Sequence, residues 1–170
     1  MTIAERYSRA IQSSHLELST LKVGDIDFAI AAGMVKGLGT GVLRLRAEFD
    51  AISSKPGAWQ MRSMLTSAVE VRRRLIAMAL DQGAPDDAAI DIAAKLMDFW
   101  LSPWCEPCTG LGVIGEYGGP RPVCPTCDGG KRRRLWWPDT VRQVADRMAA
   151  EVERKVETAE RRIRGLLRQG

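Results

Sequence analysis

Cys105 and Cys108 form one Cys-x2-Cys pair, Cys124 and Cys127 form a second, and fifteen residues separate the two pairs. They are the only cysteines of the chain. Two cysteines separated by two residues can turn both sulfurs onto one cation, and two such turns complete a tetrahedral shell of four thiolates. That donor set selects zinc, and a shell closed by four protein ligands leaves no position for water or substrate. The spacing therefore predicts one structural, non-catalytic Zn2+ on Cys105, Cys108, Cys124 and Cys127. Gly110, Gly112, Gly129 and Gly130 fall where a tight knuckle turns its backbone towards the sulfurs, and Pro107 and Pro125 stiffen the turns.

Two other uses of paired cysteines fit less well. Disulfides persist in oxidising compartments, and nothing in the sequence points to export. A thioredoxin-type redox pair sits at a strand-to-helix junction, whereas these pairs lie in Gly- and Pro-rich loop.

The second pair runs into "KRRRLWW". Lys131, Arg132, Arg133 and Arg134 are contiguous cations beside a rigid knuckle, where phosphates can be met at low ordering cost. They are the candidate nucleic-acid contacts, weighed against a plain solvated loop. Of Trp136 and Trp137, one is expected to pack inwards, because tryptophan usually buries much of its surface.

No other residues suggest catalysis, and no enzyme activity is expected. His15 is the sole histidine and reads as a surface or capping residue. Asp86, Asp87 and Asp91 are better explained as charges complementing a helix start than as a metal cluster. "GLGTG" at residues 37–41 lacks the preceding strand and the spacing of a phosphate-binding loop.

The elements that must carry the knuckles are helical. The first ~22 residues are polar, and Asp25 caps an expected helix that stops in Gly37, Gly39 and Gly41, read as a connector. Thr40 is then the expected cap of "GVLRLRAEFDAIS". Residues 58–83 read as one core helix with its apolar stripe on Met61, Met64, Leu65, Ala68, Val69, Leu75, Ile76, Ala79 and Leu80, Gly83 being its C-terminal glycine. Pro85 opens a further helix with a stripe of Ile90, Ala93, Ala94, Met97 and Trp100, ended by Ser102-Pro103. Pro138 and Asp139 start a long helix to about Arg168. Its apolar seam is Val141, Ala145, Met148, Val152, Val156, Ala159, Ile163 and Leu166, spaced by threes and fours as in a coiled coil or long bundle helix. The seam faces either the same chain or a second protomer. The predicted fold is mainly α, a helical bundle with an inserted four-cysteine zinc knuckle and a long C-terminal helix. Residues 1–103 form an N-terminal helical region, 104–137 the finger with its basic exit strip, and 138–170 the C-terminal helix, all in one structural domain.

The chain has 170 residues and a net charge of +4. From Lys131 onwards twelve Lys or Arg face six Asp or Glu, an excess of +6, so residues 1–130 carry −2. Basic asymmetry of this kind favours a nucleic-acid or acidic partner. No apolar run approaches the ~20 residues of a membrane helix, and no signal-type apolar core opens the chain. A cytoplasmic protein with no membrane partner is the expectation.

"CEPCTGLG" is a complete CxxCxGxG knuckle, and "CPTCDGGK" is the same pattern with Lys131 in the last glycine's place. Such knuckles resemble those of DnaJ-type chaperones, which carry four and bind two zinc ions. This chain has two and lacks the His-Pro-Asp tripeptide of a J domain. From about Ala79 to Leu167 the layout more closely resembles the late-gene antitermination proteins of lambdoid phages, the Q family, in the members that carry a DnaJ-like zinc finger. There too a central cysteine finger is followed by a basic strip and a C-terminal helix rich in Ala, Glu and Arg. The resemblance implies a phage factor, in the cytoplasm of its bacterial host, that binds DNA near a late promoter. It implies loading onto paused RNA polymerase holoenzyme, read-through of terminators, and proximity to the nascent RNA. The spacer between these knuckles is short, which argues against an extended DNA-reading finger. The alternatives are a zinc-finger DNA-binding regulator that does not modify polymerase, and a DnaJ-like protein-interaction module.

Overall fold

The computed structural model describes residues 33–53, 57–61, 65–115 and 119–167. His15, Asp25 with the part of its expected helix before residue 33, Met64 and Arg168 lie outside the described residues. The described chain is mainly helical and, among the described residues, contains no strand longer than an isolated bridge. Helix α1 spans Leu38–Ile52, α2 Ala58–Met61, α3 Thr66–Asp81, α4 Asp86–Leu101 and α5 Asp139–Leu167. The cysteine finger lies between α4 and α5.

Helix α1 is the centre of the bundle and packs on α3, α4 and α5. Val42, Leu43, Leu45, Ala47 and Phe49 are all buried, so α1 is covered on more than one side. Gly39 and Gly41 do not form a connector: they lie in the first turns of α1, whose N-cap is Gly37 and not Thr40. The reason is close approach. A Cβ on Gly39 would collide with the Lys155 carbonyl oxygen of α5, and one on Gly41 would sit 3.1 Å from the Val71 side chain of α3. These glycines set how closely the helices cross.

The single helix expected over residues 58–83 is broken. Leu65 is extended and acts as the N-cap of α3. The Glu48 carboxylate of α1 accepts the Ser67 backbone N–H at 3.0 Å and the Ser67 hydroxyl at 2.8 Å. A side chain from another helix thus satisfies an orphan donor in the first turn of α3. The new start also fixes the register. Ala68, Val71, Leu75 and Ala79 are buried, whereas Val69 is 69% exposed and Leu80 41% exposed. In α4 the buried face is Ala89, Ile92, Ala93, Leu96 and Leu101, and Ile90 points outwards. Both helices carry apolar residues on more than one side, and their packing on each other and on α1 selects the face. Gly83 (φ 86°) closes α3 as expected, its N–H bonding to the Leu80 carbonyl and that of Ala84 to the Ala79 carbonyl.

Helix α5 follows its sequence pattern. Ala145, Met148, Val152, Val156, Ala159 and Ile163 are buried along its 29 residues, about 44 Å at 1.5 Å per residue. The seam faces α1, with smaller contacts to α3 and α4. No described helix is long and apolar enough to cross a membrane.

Candidate metal centre

The entry to the finger is fixed from the core. Arg46 of α1 donates to the carbonyl oxygens of Trp100 and Leu101, the last residues of α4, and pairs with Asp50 at 3.0 Å. These bonds satisfy carbonyls at a helix end and aim Ser102 and Pro103 at the first knuckle. The exit is fixed by Trp137, 3% exposed in the core, with the Lys95 ammonium 5.6 Å from its ring centroid. Trp136 is 71% exposed, so one tryptophan packs and its neighbour does not.

Between these anchors the two knuckles are near copies, offset by 19 residues. Thr109, Gly110 and Gly112 have φ of 48°, 78° and 80°, and Asp128, Gly129 and Lys131 have 52°, 76° and 64°. All six lie in the left-handed region that favours glycine. The knuckles also hold each other reciprocally. The Cys105 N–H donates to the Lys131 carbonyl at 2.9 Å, and the Cys124 N–H donates to the Gly112 carbonyl at 2.9 Å. A Cβ on Gly112 would meet the Gly129 carbonyl oxygen at 2.7 Å, so that position requires glycine. Lys131 occupies the equivalent turn without needing to be one.

All four cysteines are free and buried. The Cys105 and Cys124 sulfurs lie 3.8 Å apart, those of Cys108 and Cys127 3.7 Å, and all four fall within 4.8 Å of one another. A tetrahedral ion with metal–sulfur bonds of about 2.3 Å has sulfur–sulfur edges of about 3.8 Å, so the cluster fits one metal ion. Burial pushes the Cys105 thiol up to about 12. Burial also raises Cys108, but the Gly112 and Gly110 N–H groups and the neighbouring sulfurs outweigh it and leave that thiol lowered. The Cys127 N–H draws Cys124 down to about 7. A cation among the sulfurs supplies the charge that holds such a cluster deprotonated. Among the described residues no other group of His, Cys, Asp or Glu is arranged to share an ion, Asp86, Asp87 and Asp91 included.

The basic residues do not form one even stripe. Lys131, Arg132 and Arg134 are exposed, while Arg133 is half-buried with a sealed, unpartnered Nε and a backbone N–H bonded to the Pro103 carbonyl at 2.9 Å. Arg132 reaches Glu153 of α5 at 3.5 Å, and Arg134 reaches Asp128 at 3.3 Å. These are exposed ion pairs of small net worth that phosphates can displace. What sequence reasoning missed is the second role of Lys131, whose carbonyl closes the first knuckle. Its place at the eighth position of the CxxCxGxG pattern was the signal.

Comparison with known proteins finds no match to a family model, a curated protein or a solved structure.

Proposed function

We propose that the protein is a phage transcription antitermination factor of the Q type, with one structural Zn2+ on Cys105, Cys108, Cys124 and Cys127. Four thiolates close the shell, so the ion folds the finger and does no chemistry. The observation that carries the reading is the Cys105–Lys131 hydrogen bond, which ties the basic strip to a metal ligand. The strip is then presented to nucleic-acid phosphates by a rigid mount, and ordering costs little on binding. The helical body supplies the polymerase-facing surface, and the finger meets promoter DNA or emerging RNA. The protein binds and remodels without a catalytic residue of its own. Single-round transcription with purified polymerase, a promoter-proximal pause and a downstream terminator tests this reading: added protein should raise read-through. Retarded DNA with unchanged termination would instead identify a DNA-binding regulator.

A second reading is favoured by one observation. Trp104, Leu111, Val123 and Trp136 are 50%, 60%, 58% and 71% exposed on and beside the finger. An apolar edge of this kind suits a peptide-binding, DnaJ-like module. That reading expects suppression of aggregation of an unfolded client and no retention of DNA.

A further inference from the structure

The chain leaving the second knuckle alternates in exposure. Arg132, Arg134 and Trp136 are exposed, whereas Arg133 and Leu135 are half-buried and Trp137 is buried. A period of two puts the exposed three on one side of the exit segment and the sheltered three on the other. The first knuckle adds a residue to the outer side. Trp104 and Arg132 form an antiparallel bridge. The hydrogen bonds flank them: the Cys105 N–H donates to the Lys131 carbonyl and the Arg133 N–H to the Pro103 carbonyl, both at 2.9 Å. That is the non-hydrogen-bonded kind of pair, whose two side chains leave the same face and lie close together. One outward row therefore runs Trp104, Arg132, Arg134, Trp136, with two cations between two indoles.

Both indoles are open to contact. Trp104 is 50% exposed, and its other side rests on Gly110, where a Cβ would meet the ring at 3.1 Å. The glycine seats the ring, so little ordering remains to be done on binding. Trp136 is 71% exposed although its neighbour Trp137 fills the core. Arg132 and Arg134 hold only exposed ion pairs, with Glu153 and Asp128, which a phosphate displaces at little loss. A duplex would offer this row phosphates and base edges, but its base faces stay stacked on one another. An unpaired strand offers phosphates and base faces together. The finger is also poorly equipped to enter a major groove. Among the described residues its longest helix is Glu106–Cys108, and its strand pairing is confined to isolated bridges.

We propose that this row binds single-stranded nucleic acid, an inference that rests on the nucleic-acid reading of the basic strip and narrows it to unpaired bases. Trp104 and Trp136 each stack on an unpaired base, and Arg132 and Arg134 neutralise phosphates between them. Aromatic platforms interleaved with cations are the usual means of holding a single strand with little sequence choice, because every base has a π face. Arg133 and Leu135 take no part: they face inwards and anchor the row to the body of the protein. An RNA strand and an unpaired DNA strand share this chemistry.

Anisotropy titration of the full zinc-loaded chain with labelled oligo(dT), oligo(U), a duplex of the same length and an abasic strand tests the site at constant ionic strength. The single strands should bind about tenfold or more tighter than the duplex, and removal of the bases should abolish that advantage. Trp104→Leu and Trp136→Leu should each weaken single-strand binding about tenfold, the loss of one base–aromatic stack, while leaving the salt slope unchanged. Trp104→Phe should keep most of the affinity. Leucine still covers Gly110 and replaces no metal ligand, so zinc content checks the fold of Trp104→Leu, and the exposed Trp136→Leu tests the row outside the knuckles. Tighter binding of oligo(U) than of oligo(dT) would assign the site to RNA, and the reverse to an unpaired DNA strand. Equal affinity for single strand, duplex and abasic strand overturns the proposal, as does wild-type affinity in both leucine variants. If changing Lys131–Arg134 to alanine still weakens binding in that case, the phosphate role of the strip stands without the stacking row. Binding of an unfolded client in place of any strand would overturn both.

Discussion

The backbone N–H of Cys105 donates to the carbonyl oxygen of Lys131 at 2.9 Å, so a metal ligand and the first cation of the basic strip are joined by one hydrogen bond. The mirror bond, Cys124 to Gly112, has the same length. Each knuckle is therefore completed by the last position of the other. A metal ion bound by the four cysteines would therefore order both knuckles and the start of the basic strip together.

This reciprocity predicts opposite outcomes at the two equivalent turns. Gly112→Ala places a Cβ 2.7 Å from the Gly129 carbonyl oxygen at a φ of 80°. Metal release to a chromogenic chelator should be faster by an order of magnitude or more, about 1.4 kcal/mol per factor of ten. Lys131→Gly relaxes a φ of 64°, and should hold the metal at least as well as wild type while removing one cation from the strip. Equal release rates for the three proteins would show that the paired turns do not govern metal retention.

Removing the metal should loosen the finger alone. Elemental analysis of freshly isolated protein is expected to give one zinc per chain, and Cys105→Ser or Cys127→Ser should reduce it sharply. The far-UV helical signal should stay close to wild type, because α1, α3, α4 and α5 bury their own apolar faces. A chain without bound metal, or with disulfides, would refute the assignment.

The cysteine site was legible because ligand spacing is a local property: four residues and two turns define it. The long α5 was legible for a related reason, since one unbroken seam of small steps admits a single face. Helices α3 and α4 were less so. Val69 and Val71, or Ile90 and Ile92, are equally apolar in sequence, and only the fit of α3 and α4 against each other and against α1 chooses between them. The break before α3 depends on Glu48, 19 residues from its partner Ser67, and no local pattern announces it. Gly39 and Gly41 read as a loop because their role, contact with another backbone, is invisible without α5 and α3. The sequence pattern placed four cations together; the fold sends Arg132 to Glu153, Arg134 to Asp128, and half-buries Arg133.

The α1–α5 crossing should be the least tolerant part of the bundle. Gly39→Ala drives a Cβ into the Lys155 backbone carbonyl of α5, and should cost about 1–3 kcal/mol as an overpacked contact. Val152→Asp puts an unpaired charge at a fully buried position of the seam and should cost on the order of 3 kcal/mol or more. Denaturant melts give both values. Wild-type midpoints would mean that α5 is not packed on α1 in solution.

The quadruple change of Lys131, Arg132, Arg133 and Arg134 to Ala should weaken specific and random DNA together, since phosphate contacts carry affinity with little sequence choice. The salt slope of binding should flatten by about 0.9 for each phosphate the variant no longer neutralises. Zinc content should be unchanged, because no ligand is replaced. An unaltered salt slope would mean that the strip does not meet phosphates.

The measurement that bears most directly on the central claim is terminator read-through in single-round transcription. Three preparations are compared: zinc-loaded protein, metal-stripped protein and the quadruple alanine variant. Zinc-loaded protein should raise read-through from a template with a promoter-proximal pause and leave a template without it unchanged. Metal-stripped protein should be inactive until zinc is restored, and the alanine variant should lose activity more at high salt than at low. Read-through that stays at the polymerase's own level with the zinc-loaded protein on the paused template would contradict the account.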